Sequence, residues 1–299
     1  MYTEEKEGIG FRIYGACSVM DVVEITEENL EDFASILGED LSEDVKRVYY
    51  SGLGALDEEG RSVGALLYEL FDSESEEDTR SRICLLKADD KEISDSLMDY
   101  YTTTSVSDEE ITESFYETRE EAEAETLSEK GFSIGKKQSD DINITLGELM
   151  GSELAKKKGI PDYVGSIENL SVLQFRDAVK QILFKGHRGL LEDAPYLPMN
   201  WYDNRVSACV SSGGKIPGLF LIRRTPSGVL IPTLFFAYGP ECKKNLIYMI
   251  KHSLQQAIKL YPPETVVRIS RKDDATRALT DKLLPGVTGD EIFFGTREE

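Results

Sequence analysis

The fold is decided by the segment 111–132, which reads ITESFYETREEAEAETLSEKGF. Its first part, residues 111–116, predicts a β-strand rich in β-branched and aromatic side chains. Thr118 and Glu121 then have the spacing of a capping box, which predicts a helix beginning at this point. Gly131 can adopt the left-handed conformation that ends such a helix, and Phe132 opens the next strand. The segment therefore predicts strand, helix and strand in close succession.

Further elements precede and follow this segment in the first half of the chain. An acidic turn that ends at Gly60 lies between two apolar runs and predicts a hairpin. Gly38 separates two stretches of helical periodicity. The predicted elements are, in order, strand 22–25, helices 26–38 and 42–50, strands 52–56, 62–71 and 82–86, helix 91–101 and, after the segment, a hairpin of strands 132–136 and 142–146.

The second half repeats this order of elements. Ser171 can cap a helix with an apolar stripe, and glycines in the segments 213–214 and 226–228 predict the turns between extended runs. The predicted elements are strand 164–170, helix 171–184, strands 206–211, 218–224 and 229–238, helix 241–261, strand 266–269, helix 274–284 and strand 291–294.

Charge divides the chain into two parts of different composition. The 299 residues have a net charge of −22. Residues 1–150 hold 40 acidic and 13 basic residues, whereas residues 151–299 hold 16 acidic and 21 basic ones. This asymmetry and the repeated element order predict an acidic domain 1–150, a linker 151–162 and a second domain 163–299. A surface this acidic disfavours nucleic acid and anionic membranes as partners.

The first residues and the length of the apolar runs predict the compartment, and the cysteine spacing predicts the metal content. The acidic start of the chain has no apolar stretch after a basic one, and no apolar run reaches 18 residues. These features favour a cytoplasmic protein without a membrane span. The four cysteines are scattered, with no CxxC pair and no histidine-rich spacing, so reduced thiols and no metal site are expected.

Both halves resemble the GCN5-related N-acetyltransferase (GNAT) fold, on element order and a few local patterns. In the first half these are the turn from Gly60 to Ala65 and the helix end at Gly131-Phe132. In the second half Gly214 to Gly218 resembles the same hairpin. The resemblance implies an α/β (α+β) protein of two tandem GNAT-like domains, each with a mixed, mostly antiparallel central sheet flanked by helices.

The resemblance implies acetyl-CoA or another acyl-CoA as a substrate, bound where the fourth strand meets the next helix. Family members place a glycine-rich loop there, whose free N–H groups hold the pyrophosphate. Residues 87–94 of the first half have no glycine and several acids, which argues against binding in that half. The second half has a more permissive segment, and its predicted donor-binding residues are Phe236, Ala237, Tyr238, Gly239, Lys243, Lys244 and Asn245. An ordinary strand-to-helix turn with surface lysines remains the alternative there.

Acyl transfer to an amine needs a proton acceptor for the ammonium and a proton donor for the departing thiolate. His187 and Glu192 are the candidate bases because the resemblance implies that they border the acceptor cleft. Tyr116 of the first half lies near the family's usual donor position. The aromatic segment after residue 192 predicts either an acceptor pocket or a lid packed into the core, with Asp193, Tyr196, Trp201, Tyr202 and Asp203 as its candidate residues.

Two functions stay open at this stage. The first is an acyl-CoA-dependent N-acetyltransferase that works through the second domain, with a small-molecule or protein amine as acceptor. The first domain would then serve as a scaffold or as the surface of a homodimer. The second is a non-catalytic GNAT-like protein that binds a metabolite or a partner.

Overall fold

We describe the fold from a computed structural model that covers residues 11–14, 19–46, 50–72, 78–152, 155, 159–185, 197–271 and 274–299. The chain divides into two units. Unit 1 comprises Met1–Gln138 and Glu291–Glu299, and unit 2 comprises Ser139–Asp290. Each unit contains one mixed, mostly antiparallel sheet against which helices pack. This confirms the expected fold class.

Unit 1 is built on a sheet of eight strands in the order β1-β2-β3-β4-β5-β6-β14-β7. The strands are β1 Phe11–Tyr14, β2 Val19–Glu24, β3 Ser51–Leu56, β4 Ser62–Asp72, β5 Thr79–Ala88, β6 Ile111–Thr118, β7 Ser133–Gln138 and β14 Glu291–Glu298. All the pairs described in this sheet are antiparallel except β5 with β6. The predicted hairpin of β3 and β4 is confirmed.

Among the described residues, the longer helices that pack against the sheet of unit 1 are α1 Leu30–Val45, α2 Lys91–Tyr100 and α3 Glu121–Glu129. Helix α2 continues into a π-helical turn, Tyr101–Ser105, and a short helix, Val106–Asp108. Helix α1 is broken at Gly38, where φ is +74°, as the two predicted helices require. Leu66 and Leu67 are adjacent on β4, yet they enter different apolar clusters. Because successive strand residues point to opposite faces, this sheet is buried on both sides.

The segment 111–132 folds as predicted except at the helix start. The hydroxyl group of Thr118 does not cap the helix with Glu121. It accepts the N–H of Glu120 at 3.0 Å and donates to the carboxylate of Glu123 at 2.6 Å. The helix ends as expected, since Gly131 has a φ of +90° and the N–H of Phe132 donates to the carbonyl oxygen of Leu127 at 3.1 Å.

Unit 2 is built on a sheet of six strands in the order β8-β13-β12-β11-β10-β9. The strands are β8 Asp141–Thr145, β9 Val164–Ser166, β10 Ala208–Ser212, β11 Lys215–Arg224, β12 Leu230–Ala237 and β13 Val266–Ser270. The helices are α4 Leu146–Met150, α5 Val172–Phe184, α6 Cys242–Leu260 and α7 Asp274–Leu283. Helix α5 begins with the predicted cap, because Ser171 and Gln174 form a reciprocal capping box. Gly213 and Gly214 both have positive φ angles in the turn between β10 and β11.

The predicted hairpin of strands 132–136 and 142–146 is wrong. Strand β7 pairs with β14, from Gln138 opposite Glu291 to Ser133 opposite Thr296, whereas β8 pairs with β13. Short strands carry no local signal for their partner, so adjacency in sequence misled the prediction. The last strand, expected in the second half, therefore lies in unit 1, and the two units differ from contiguous halves.

Within the part of the chain that the structure describes, no helix reaches the length and apolar content that a membrane span requires.

Candidate functional site

The central parallel strands of unit 2 separate soon after they meet. Strand β12 pairs with β13 at one residue pair, Leu230 with Val267. Beyond it, β12 continues to Ala237 beside β11, while β13 continues to Ser270 beside β8. The gap therefore widens towards the carboxyl ends of both strands. Backbone N–H and C=O groups on the β12 side of this gap can accept an extended ligand, because strand edges offer unpaired groups.

A cavity of about 960 Å³ lies at this gap, lined from β11, β12, β13, α6 and α7. Its wall is apolar and includes Phe220, Leu234, Phe235, Ile250 and Leu283. None of the described residues that line it carries a charge. A space of this size is at the upper end of the range for small-molecule sites, about 300–1,000 Å³.

Helix α6 begins at the open end of the gap, because β12 runs into it through a short turn. Gly239 in this turn has a φ of +94°, and a Cβ there would meet no atom within 4 Å. The residue before the helix, Glu241, does not cap the first turn with its side chain, but its carboxylate lies 3.5 Å from the ammonium group of Lys244. Lys243 and Lys244 lie in that first turn, where the helix dipole disfavours positive charge unless an anion is bound.

The predicted donor-binding residues divide into two groups. Phe236 lines the cavity, and Gly239, Lys243 and Lys244 lie at its open end. The side chain of Asn245 is not at the open end. It is buried and accepts a hydrogen bond from Tyr163, next to β9, at 3.5 Å.

Several of the groups that could bind the donor at the start of α6 already have partners inside the protein. The N–H groups of Cys242, Lys244 and Asn245 donate to carbonyl oxygens of the turn itself. These three N–H groups are therefore not free to hold a phosphate. The ring of Tyr238 lies under the amino group of Lys185, at 5.4 Å, and Ala237 packs against the apolar cluster of unit 2.

The candidate acceptor residues that the structure describes, Trp201, Tyr202 and Asp203, contact other residues of the protein. Tyr202 is buried and its ring lies 5.9 Å from that of Phe175. Trp201 is half-buried beneath the guanidinium of Arg223, at 4.1 Å. One carboxylate oxygen of Asp203 accepts the N–H groups of Arg205 and Val206, both at 3.2 Å. These contacts favour the lid packed into the core over the open pocket.

The other half of the aromatic segment and two of the candidate catalytic groups lie outside the described residues. These are His187, Glu192, Asp193 and Tyr196.

Tyr116 is described, and it lies in unit 1. Its side chain is buried and its hydroxyl group donates to the carboxylate of Glu123. Burial raises the pKa of Tyr116, and the charge of Glu123 raises it further. The proton is thus held by an internal acceptor, which makes Tyr116 a poor donor to a thiolate.

The corresponding helix start in unit 1 is closed by its own acid. Asp90 precedes α2, and its carboxylate accepts the N–H of Ile93 at 3.0 Å. Lys91 in the first turn is paired with Glu129 at 2.6 Å. An anionic ligand would have to displace the first carboxylate and compete with the second, which agrees with the sequence argument against this half.

Sequence reasoning missed Ser253, a polar residue in the apolar stripe of α6 that lines the cavity. Its Oγ is buried and has no hydrogen-bond partner among the residues that the structure describes. The signal that could have found it is its place in the series Leu246, Ile250, Ser253 and Ala257, which has helical spacing.

No family model and no curated protein sequence matches the chain. Solved structures do match it. A tandem GNAT protein from the clavulanic acid biosynthesis pathway is 11% identical, with a TM-score of 0.61 over 93% of this chain and 98% of that one. N-myristoyltransferase of Saccharomyces cerevisiae, solved with bound myristoyl-CoA, is 12% identical, with a TM-score of 0.55 over 96% and 80%.

A third structure, a GCN5-related N-acetyltransferase from Kribbella flavida, is 12% identical, with a TM-score of 0.50 over 79% of this chain and 88% of that one. At these identities the likeness concerns the fold, which is that of two GNAT-like units.

Proposed function

We propose that this chain, with its two GNAT-like units, is an acyl-CoA-dependent N-acyltransferase whose donor binds in unit 2 between β12 and β13. The observation that carries the proposal is the early separation of these two parallel strands over an apolar cavity, with a helix start at the open end. Structures with the same fold include N-acetyltransferases and an N-myristoyltransferase solved with its acyl-CoA.

The donor would bind through three kinds of contact. Its pyrophosphate would lie at the start of α6, where the helix dipole and the ammonium groups of Lys243 and Lys244 favour an anion. The amides of its pantetheine arm would pair with the free edge of β12, as an added strand does. Its acyl group would enter the apolar cavity, and Gly239 leaves room for the approach of the pyrophosphate.

The reaction joins the acyl group to an amine. The nitrogen lone pair attacks the carbonyl carbon of the thioester, a C–N bond forms and the C–S bond breaks. The proton that the amine loses is taken up by a base, and the departing thiolate gains a proton to give the free thiol of CoA. Most of the rate enhancement would come from holding the amine and the thioester together, and from N–H groups of β12 that polarise the carbonyl group.

His187 and Glu192 remain our candidates for the base, and a small-molecule or protein amine remains the proposed acceptor. Unit 1 would act as scaffold, since Asp90 caps its equivalent helix start.

Titration with CoA and acetyl-CoA tests the donor site, with calorimetry and thermal unfolding as readouts. We expect saturable binding that Lys243→Glu weakens by about tenfold or more. The same substitution should stabilise the ligand-free protein slightly, because an acid at a helix start complements the dipole. A loss of affinity with no loss of stability excludes unfolding as the cause.

Lys215→Glu is the matched control, because Lys215 is exposed at the turn between β10 and β11 and the change in net charge is identical. Its affinity for CoA should equal that of the wild type. Absence of CoA binding by the wild type at any concentration would rule out the proposed function.

A non-catalytic binding protein is the second candidate. One observation favours it: among the described residues that line the cavity none has a titratable side chain, so no described group at the cavity can relay a proton. Binding of acyl-CoA without release of free thiol, across a panel of amines, would select this alternative. Thiol release that His187→Gln or Glu192→Gln abolishes, with binding intact, would select the enzyme.

A further inference from the structure

The cavity of unit 2 is far larger than an acetyl group needs. A methylene group occupies about as much space as a water molecule, which takes about 30 Å³ in the liquid. Half of the 960 Å³ would therefore hold a chain of more than ten carbon atoms. An apolar space of this size has room for a ligand of matching volume.

The wall of the cavity selects for hydrocarbon. It is formed by three phenylalanine rings, Phe220, Phe235 and Phe236, and by aliphatic side chains of β11, β12, β13, α6 and α7. Two of its hydroxyl groups are already bonded to carbonyl oxygens of the protein: Thr233 to Leu221 at 3.3 Å, and Thr280 to Thr276 at 2.9 Å. They offer little to a polar ligand.

Ser253 differs from these residues. It is 2% exposed, it lines the cavity, and its Oγ has no hydrogen-bond partner within the described part of the chain. An unpaired buried hydroxyl group costs free energy and calls for an explanation, such as an acceptor on a ligand. Ser253 follows Cys242 by eleven residues, which is about 16 Å along the helix from the open end. It therefore lies between an outer part of the wall, with Leu246 and Ile250, and a deeper part with Ala257.

We propose that the cavity holds a fatty acyl chain of about ten to sixteen carbons, on the basis of its volume, with the Ser253 hydroxyl donating to the acyl carbonyl oxygen. The inference rests on the proposed function and specifies its substrate class: a medium- to long-chain acyl-CoA in place of acetyl-CoA. The chain fills the deep part of the cavity, beside Ala257. The transfer is the one written above, with a fatty amide and free CoA thiol as products.

A chain-length series of acyl-CoAs, from acetyl to hexadecanoyl, tests the inference by calorimetry below their micelle concentrations. Affinity should rise about fourfold for each buried methylene group and then level off when the cavity is full. Ser253→Ala should lower the affinity for acyl-CoAs by about fivefold. It should leave the affinity for CoA itself unchanged, because CoA has no acyl carbonyl group.

Ala257→Phe fills the deep part and should move the plateau to shorter chains. Lys259→Phe is its control, since Lys259 is exposed on the same turn, and it should keep the wild-type plateau. Ser253→Ala and the wild-type series remain informative even if Ala257→Phe does not fold.

Two outcomes separate this inference from the proposed function. Equal affinity for acetyl-CoA and for every longer acyl-CoA would overturn the fatty acyl chain and leave the acyl-CoA site in place. Binding of free dodecanoate, blocked by Ala257→Phe, without binding of any CoA thioester would overturn the acyltransferase and support the chain in the cavity.

Discussion

Two buried serines of unit 2 differ in whether their hydroxyl groups find a partner. Ser207 donates to the carbonyl oxygen of Ile222 at 3.2 Å and accepts the N–H of the same residue at 2.9 Å. The Oγ of Ser253 is buried and finds no partner among the described residues. The same side chain can therefore stabilise the fold at one position and serve a ligand at the other.

Alanine at the two positions should have opposite effects on stability. Ser207→Ala removes a satisfied hydrogen bond and leaves a buried N–H unpaired, so the free energy of unfolding should fall by about 1–2 kcal/mol. Ser253→Ala removes an unpaired hydroxyl and should leave that free energy unchanged or raise it by up to about 1 kcal/mol. Urea unfolding of the ligand-free proteins measures both. An equal loss in the two variants would contradict the assignment.

His252 makes stability depend on pH. Its Nε2 lies 3.0 Å from Oγ of Ser166, which also donates to the carbonyl oxygen of Arg205. Burial lowers the pKa of His252 and the nearby charge of Lys259 lowers it further, while Glu168 opposes them. The folded state thus prefers the neutral ring, and this preference is fully present above the unfolded pKa of about 6.5.

Unfolding free energy should therefore fall as the pH drops below about 6.5, because the unfolded chain then binds a proton that the folded one resists. His252→Gln should lose less stability than the wild type between pH 7.5 and 5.5. The chain has two histidines, so His187→Gln is measured alongside to separate the contribution of the other imidazole group. Urea unfolding measures the free energy of unfolding across this pH range. Identical slopes of that free energy against pH in all three proteins would contradict the role of His252.

Among the connecting segments, the loop before β14 is fixed by close backbone contact. Ser139 and Asp290 are joined by an N–H to carbonyl hydrogen bond of 2.8 Å. A Cβ on Gly289 would lie 2.1 Å from the carbonyl oxygen of Ser139 and 2.9 Å from that of Asp141. The backbone at residues 139–141 and the backbone at residues 289–290 can approach this closely only because residue 289 has no side chain.

Gly289→Ala should lower the free energy of unfolding by about 3 kcal/mol, because the clash is with backbone that cannot rotate away. Gly135→Ala in β7 is the control, since a Cβ there meets no atom within 4 Å. It should stay within about 0.5 kcal/mol of the wild type. Urea unfolding compares the two, and a Gly289→Ala variant as stable as Gly135→Ala would show that the loop can open without loss.

At the scale of the whole molecule, unit 1 is closed by the last strand of the chain. Strand β14 lies between β6 and β7 and pairs with both. A sheet that loses an inner strand loses two ladders and exposes the apolar side chains that the strand covered. Unit 1 is therefore complete only when residues 291–299 are present.

A fused protein tests this arrangement. Gln138 lies opposite Glu291, so an Asn-Gly turn can join residues 1–138 directly to residues 291–299 as a hairpin. We expect this protein to unfold cooperatively in urea. The contiguous fragment 1–150 lacks β14 and should show no cooperative transition. If both fragments unfold at the same urea concentration, β14 is not required for unit 1.

The sequence by itself determined the local elements and their order. Helical and alternating periodicity, the cap at Ser171 and the glycines at 38, 131 and 213–214 all act over a few residues, so they can be read without the fold. The order of elements then led to the fold class and to the segment at the start of α6. The acids at the start of α2 led to the prediction that the first half does not bind the donor, and in the structure one of them, Asp90, caps this helix.

Tertiary structure alone decided which strands pair within each unit and where the cavity lies. Strands β7 and β8 have six and five residues, and neither pattern specifies a partner, so their pairing with β14 and β13 depends on the whole sheet. The cavity exists because β12 and β13 diverge, which is a relation between elements distant in sequence. Ser253 is likewise an ordinary helical serine by its sequence, and only the packing of the described residues around it leaves its hydroxyl group without a partner there.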